Sequence, residues 1–281
     1  MKKLDTVAIV GVGLIGGSIG LALRQRGLAK SVVGIGRRQV SLRIARRVGA
    51  VTHTTIDLNK GVAEAELVVV CTPVGQIVNF VRQAARHCPE RVLMTDVGST
   101  KQIIVQALDG GLPRGCRFLG SHPLAGSEKT GALSATADLF EGRVTVLTPT
   151  KSTRAEDFDL LEAFWAALGS VVVQMSPEEH DRTLAMTSHL PHLAAAAVAV
   201  ALPERYFRFC STGALDTTRV AAGDPEMWRQ VLCMNRENVL SALDELGGKL
   251  SALYTAIRDD RQDDILRFLT LAKKNRDALG S

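Results

Sequence analysis

Residues 6–16 read TVAIVGVGLIG, an apolar β-branched run followed at once by G-x-G-x-x-G and then by a helical pattern. No other feature constrains the fold as strongly. A strand that runs through a glycine turn into a helix N-terminus is the phosphate-binding start of a βαβ unit. Gly11 permits the tight turn, Gly13 lets the backbone approach a pyrophosphate, and Gly16 allows the helix to pack closely on the strand. Leu14 and Ile15 lie in the first helical turn, whose free N–H groups attract anions. We therefore expect Gly11, Gly13, Leu14, Ile15 and Gly16 to hold a dinucleotide, with Thr72 at the end of the third predicted strand on the same edge.

The first 175 residues keep this alternation. Apolar runs at 6–12, 31–36, 67–72, 92–97, 116–121, 143–148 and 170–175 read as strands, and stretches such as 76–86 and 154–168 read as helices. Continuous apolar strands between helices imply a mostly parallel sheet covered on both faces. After residue 175 the texture changes: SPEEHD is a helix start, with Ser176 as N-cap and Pro177 in the first position. Helical patterns fill 178–202, 226–246 and 248–279. The expected architecture is an α/β dinucleotide-binding domain over 1–175 and an all-α domain over 176–281.

An NAD site would carry an acid about 20 residues beyond the glycines, on the ribose hydroxyl. From Thr6 to Ile56 there is no Asp or Glu, and the second strand ends in GIGRR, with Gly36 in the acid's place followed by Arg37 and Arg38. Guanidinium groups neutralise a 2′-phosphate, so this reads as NADP.

Composition narrows the partners. The net charge is +5, but the basic residues are scattered and aromatics make up only 4%, which argues against nucleic acid. The apolar segment 190–202 is too short to span a bilayer, and Asp5 interrupts the basic start that would suggest a signal peptide. Five cysteines without a CxxC pair fit a reducing cytoplasm and exclude both a disulfide framework and a zinc site. His189 and His192 have a metal-pair spacing but no third ligand, so no metal is expected.

His122, in GSHPLAG after the 116–121 strand, and Ser99, in DVGST after the 92–97 strand, both fall where open α/β sheets place ligands. A histidine beside a nicotinamide can take a hydroxyl proton as hydride leaves the same carbon.

The segments GVGLIGGS, DVGSTK, GSHPLAGSEKTG, MSPEEHD, SHLPH, TTRVAAGDPEMW and NRENV, in this order, resemble the prephenate/arogenate dehydrogenase family over nearly the whole chain. The resemblance implies oxidative decarboxylation of a cyclohexadienol in tyrosine biosynthesis. His122 would accept the C4 hydroxyl proton while Ser99 orients that hydroxyl. Arg219 would bind the ring carboxylate, and His192 and Trp228 would line the substrate pocket. It also implies an ionic network of Glu128, Asp181 and Asp216 at the site entrance and a homodimer built through the helical domain, while His180 and His189 read from the residues alone as structural. This sequence departs from the family at CSTGALDTTR, where a glycine-rich stretch is reduced to Gly213. It also ends just after the last predicted helix, which leaves no regulatory domain beyond it. From the residues alone, an Arg219–Asp216 ion pair is an alternative to substrate binding. Another NADP-dependent reductase of the β-hydroxyacid dehydrogenase or pyrroline-carboxylate reductase type, or a non-catalytic NADP-binding redox sensor, would account for the glycine turn but would not need His122, Ser99 and Arg219 together.

Overall fold

A computed structural model describes residues 2–126 and 129–280. Strands β1 (Leu4–Val10), β2 (Ala29–Ile35), β3 (His53–Thr55), β4 (Leu67–Val70), β5 (Leu93–Asp96) and β6 (Arg117–Phe118) form a six-stranded sheet in the order β3-β2-β1-β4-β5-β6. Every pairing in it is parallel. Strands β7 (Gly120–Pro123), β8 (Val144–Thr148) and β9 (Val171–Gln174) form a second sheet, β7-β8 antiparallel and β8-β9 parallel.

The helices of this part are α1 (Leu14–Gln25), α2 (Gln39–Arg47), α3 (Leu58–Val62), α4 (Ile77–Ala84), α5 (Gln102–Leu108) and α6 (Ala155–Ala167). Side-chain alternation divides the core between the two faces of the large sheet. Val7 and Ile9 of β1 and Leu67 and Val69 of β4 pack with α1, α2 and α6. Their neighbours Ala8, Val10, Val68 and Val70 pack with α3, α4 and α5. A fully buried Trp165 makes edge contacts with Phe140 and Phe164, each at 5.4 Å between ring centres.

From Pro177 onward the described chain is helical: α7 (Pro177–Leu184), α8 (Leu190–Ala201), α9 (Thr212–Thr218), α10 (Pro225–Met234), α11 (Arg236–Arg258) and α12 (Gln262–Ala278). Ser176 caps α7, its hydroxyl accepting the Glu179 N–H at 3.1 Å. A π-turn over Ala185–His189 joins α7 to α8. It falls just before Pro191, which has no N–H to offer and whose ring crowds the preceding turn.

Three local expectations are corrected. The predicted 116–121 strand is two strands in different sheets, because Leu119 is the corner at which the chain leaves β6 for β7. The polar edge strand His53–Thr55 carries too little apolar signal to be read from sequence. The break expected near Gly247 and Gly248 lies instead at 259–261, where Asp260 takes a left-handed conformation with φ of 49°.

Candidate active site

The glycine turn connects the carboxyl end of β1 to α1. Gly11 adopts φ of 96°, and a Cβ there would lie 2.6 Å from the Cys71 carbonyl oxygen. A Cβ on Gly16 would lie 2.1 Å from the Gly11 carbonyl oxygen. Both glycines are thus required by close backbone approach. Gly13 precedes α1 with no side chain capping the helix, so the first-turn N–H groups around Leu14 and Ile15 keep their anion-binding capacity. Beside the turn lies a cleft of about 180 Å³ lined by Gly11, Gly36, Arg37, Ile56, Thr72 and Gln76, among others. Among the described residues its lining holds no acid, and Arg37 is the one charged residue there. Arg38 is exposed and precedes α2, outside that lining. The Thr72 hydroxyl oxygen is buried without a partner among the described residues. A glycine cradle, an uncapped helix start and an unpaired buried hydroxyl fit a dinucleotide.

His122 lies on β7, held against the carboxyl end of β5. The Ser121 N–H donates to Asp96 Oδ1 at 3.3 Å, and the Ser121 hydroxyl donates to the Asp96 carbonyl at 2.6 Å. Asp96 Oδ2 accepts the Gly98 N–H at 2.8 Å and pairs with the ammonium of Lys101. Both charged side chains are fully buried, and burial pulls the Lys101 pKa down against the attraction of Asp96. Ser99, half-buried, lies between these two anchors in the loop after β5. Removing either member of the Lys101–Asp96 pair would leave the other charge buried and uncompensated.

The helical domain reaches the same place through α7. Asp181 accepts the Lys101 N–H on Oδ1 at 2.7 Å and the Gln102 N–H on Oδ2 at 3.0 Å, so it caps the start of α5. His180 Nδ1 lies 2.8 Å from Asp181 Oδ1, and its Nε2 lies 2.9 Å from His122 Nδ1. The Asn235 side-chain amide donates to the Asp181 carbonyl at 2.7 Å and lies 3.2 Å from His189 Nδ1. His192 stacks on Trp228 at 3.6 Å with the rings 8° from parallel, and His189 meets the same indole edge-on at 6.1 Å. His189 Nε2 and His192 Nδ1 are buried with no hydrogen-bond partner among the described residues.

Electrostatically this is a cluster of neutral imidazoles. Burial pushes His122 well below the ordinary histidine pKa, with His180, Lys101 and His189 adding repulsion. Burial also lowers His180 against the pull of Asp181, lowers His189 to about 4, and lowers His192. A neutral imidazole can accept a proton. Two expectations change. Asp181 is buried inside the site rather than at its entrance, and His180 touches His122 directly. The Arg219–Asp216 ion pair is not formed, and both side chains are exposed. Glu128 lies outside the described residues. The His180 contact spans 58 positions in sequence, and only the adjacent acid in EEHD hinted at an oriented ring. Among the described residues no His, Cys, Asp and Glu group has a metal-binding arrangement.

Residues 19–174 match the model of the prephenate dehydrogenase nucleotide-binding domain, and residues 176–271 match that of the prephenate dehydrogenase dimerization domain. The chain belongs to the prephenate dehydrogenase family. It is 34% identical to the prephenate dehydrogenase of Bacillus subtilis (strain 168), over 98% of this chain and 76% of that one. The crystal structure of prephenate dehydrogenase from A. aeolicus in complex with hydroxyphenyl propionate and NAD+ is 31% identical, with a TM-score of 0.91 and 99% of each chain covered. Synechocystis arogenate dehydrogenase is 29% identical with a TM-score of 0.81, covering 98% of this chain and 99% of that one. The chain is thus an oxidoreductase that uses a nicotinamide cofactor.

Proposed function

We propose that this enzyme converts prephenate to 4-hydroxyphenylpyruvate, arogenate to tyrosine, or both, with NADP as oxidant and His122 as the group that accepts the C4 hydroxyl proton. The observation that carries this reading is a buried His122 on β7, anchored through Ser121 to the carboxyl end of β5, on the sheet edge that also bears the glycine turn. In this reading residues 1–175 bind the cofactor, and residues 176–281 complete the substrate pocket and pair two copies into a homodimer in the cytoplasm.

Gly11, Gly13, Leu14, Ile15, Gly16 and Thr72 would hold NADP and Arg37 would neutralise its 2′-phosphate; the bound cofactor would supply the hydride acceptor for C4. Ser99 orients the C4 hydroxyl and His122 takes its proton. Loss of carbon dioxide from C1 then leaves an aromatic ring, so the protein has to provide alignment and one modest base. Arg219, exposed and without an ion-pair partner among the described residues, is available to bind a carboxylate, and Trp228 and His192 form a stacked wall. Glu128 and Asp216 are assigned to the entrance.

Steady-state kinetics with each substrate and each cofactor at equal ionic strength tests the proposal. Partly exposed charge-assisted bonds contribute about 1.5–3 kcal/mol, so NADP should be favoured by about 10–100-fold in kcat/KM. Gly36→Asp, whose new Cβ would need only a small shift of the Leu42 side chain at 3.2 Å, should move preference toward NAD. Arg37→Ala should weaken NADP alone, and less so at high salt. A wild type that favours NAD would refute the cofactor assignment, and no turnover with either substrate would refute the activity.

A further inference from the structure

We infer that His180 and Asp181 are positioning residues that fix the protonation geometry of His122. The inference rests on the reading of His122 as the proton acceptor. Donors and acceptors form a chain that runs inward from Asp181 to His122. As a carboxylate, Asp181 can only accept hydrogen bonds. Its Oδ1 takes the Lys101 N–H at 2.7 Å and lies 2.8 Å from His180 Nδ1, so the His180 hydrogen sits on Nδ1. A neutral imidazole carries one N–H, which leaves His180 Nε2 with a lone pair. That lone pair faces His122 Nδ1 at 2.9 Å, so His122 must present its own N–H there. Only Nε2 of His122 is then free of hydrogen, and it is the atom able to take a proton from a substrate hydroxyl.

Burial supports neutrality along the chain. His180 is fully buried, and desolvation is the largest influence on it and on His122. A charged His180 would donate from Nε2 and force the His122 hydrogen onto its own Nε2, where it would block proton acceptance. The groups facing the pair act in both directions: Lys101 opposes a charge on either ring and His189 opposes one on His122, whereas Asp181 and Asp96 favour one on His180. In the reaction the substrate O–H bond breaks, its proton goes to His122 Nε2, and no proton leaves Nδ1. The resulting imidazolium still donates to His180, whose ring dipole is aligned by Asp181. The carboxylate is fixed by two backbone N–H groups at the start of α5, so the helical domain sets the tautomer while the α/β domain supplies the base. A fixed outer partner of this kind controls both ring orientation and basicity.

Long-range proton–nitrogen correlation spectra of the full-length protein with labelled histidine report each ring's tautomer directly. In the wild type His122 should carry its hydrogen on Nδ1 and His180 on Nδ1. An Nε2–H tautomer at His122 in the wild type would overturn the inference without any variant. His180→Phe, which keeps the ring but removes the acceptor, should give mixed tautomers at His122. Its kcat should fall by about 10–100-fold, with KM for substrate and cofactor within about threefold. His180→Gln, whose side-chain oxygen can accept the same N–H, should recover most of the lost kcat. An unchanged His122 tautomer in His180→Phe, or equal losses in both variants, would show that His180 only fills space. Failure of the proton-acceptor reading is separately visible, as full activity in His122→Asn alongside an intact Nδ1–H tautomer in the wild type.

Discussion

The two halves of the chain solve the burial problem differently. The α/β half buries two apolar layers on opposite faces of one sheet, one of them joined by Val231 of α10, and most of its strand residues are buried. The helical half has one small buried cluster, Ala185, Val239 and Ala242, with a few partly buried neighbours. Its α12 has no buried residue at all, yet presents Leu266, Leu269 and Leu271 to the surface. Tyr254, Ile257 and Val200 are likewise exposed, the last at 88%. A monomer rarely leaves so many large apolar helix side chains uncovered. The helical half matches a dimerization domain, and in the proposed homodimer a second copy would cover these side chains.

The comparison can be broken most severely at the exposed helices. Leu266→Glu combined with Leu269→Glu should abolish the proposed homodimer, since single interface anchors contribute about 2–4 kcal/mol each. Sedimentation should give a monomer for the variant and a dimer for the wild type. The same pair of changes should leave cofactor binding by the α/β half intact. A wild-type monomer at micromolar concentration would remove the proposal.

The next largest effect is at Arg219. Arg219→Gln should raise KM for the substrate by about 10–100-fold with a smaller fall in kcat, because a carboxylate clamp stabilises ground and transition states alike. The protein should keep its melting temperature, since no ion pair is lost among the described residues. A destabilised variant with an unaltered KM would contradict the assignment.

A pH effect sharpens the contact between the halves. His122, His180, His189 and His192 are all held below their ordinary pKa in the folded state. Near pH 7 and above, both folded and unfolded chains keep them neutral. As pH falls below about 6.5, the unfolded chain takes up protons that the folded chain refuses. Stability should therefore drop through that window, at up to about 1.4 kcal/mol per pH unit for each histidine, until the folded groups titrate, about pH 4 for His189. Thermal unfolding in matched buffers should show a melting temperature that is level above pH 7 and declines below about 6.5. His189→Asn should shallow the slope, and a slope unchanged in that variant would contradict its buried neutral state.

Much of the fold was legible because strong local signals agreed with the tertiary structure: the glycine turn into α1, continuous apolar strands and the Ser176 cap. The signal failed where local and global demands part. His53–Thr55 is an edge strand made of polar residues, held by pairing to β2. Gly247 and Gly248 cost about 1 kcal/mol each inside a helix, yet α11 runs through them because it is long enough to absorb that cost. Ser99 follows β5 as its sequence position suggests, whereas His122 lies inside β7, a strand of the second sheet that the sequence pattern joined to β6. His180 could not be assigned, because its role comes from a partner 58 residues away, and tertiary packing alone creates that contact.

The central claim is that the α/β half supplies the base and the helical half supplies its surroundings. The most direct test is kcat of His122→Asn with prephenate and arogenate in the presence of NADP, together with NADP affinity measured by fluorescence. The account predicts that kcat falls by about 10²–10⁴-fold while NADP affinity stays within a few-fold of the wild type. A variant that turns over near the wild-type rate with both partners bound would contradict it.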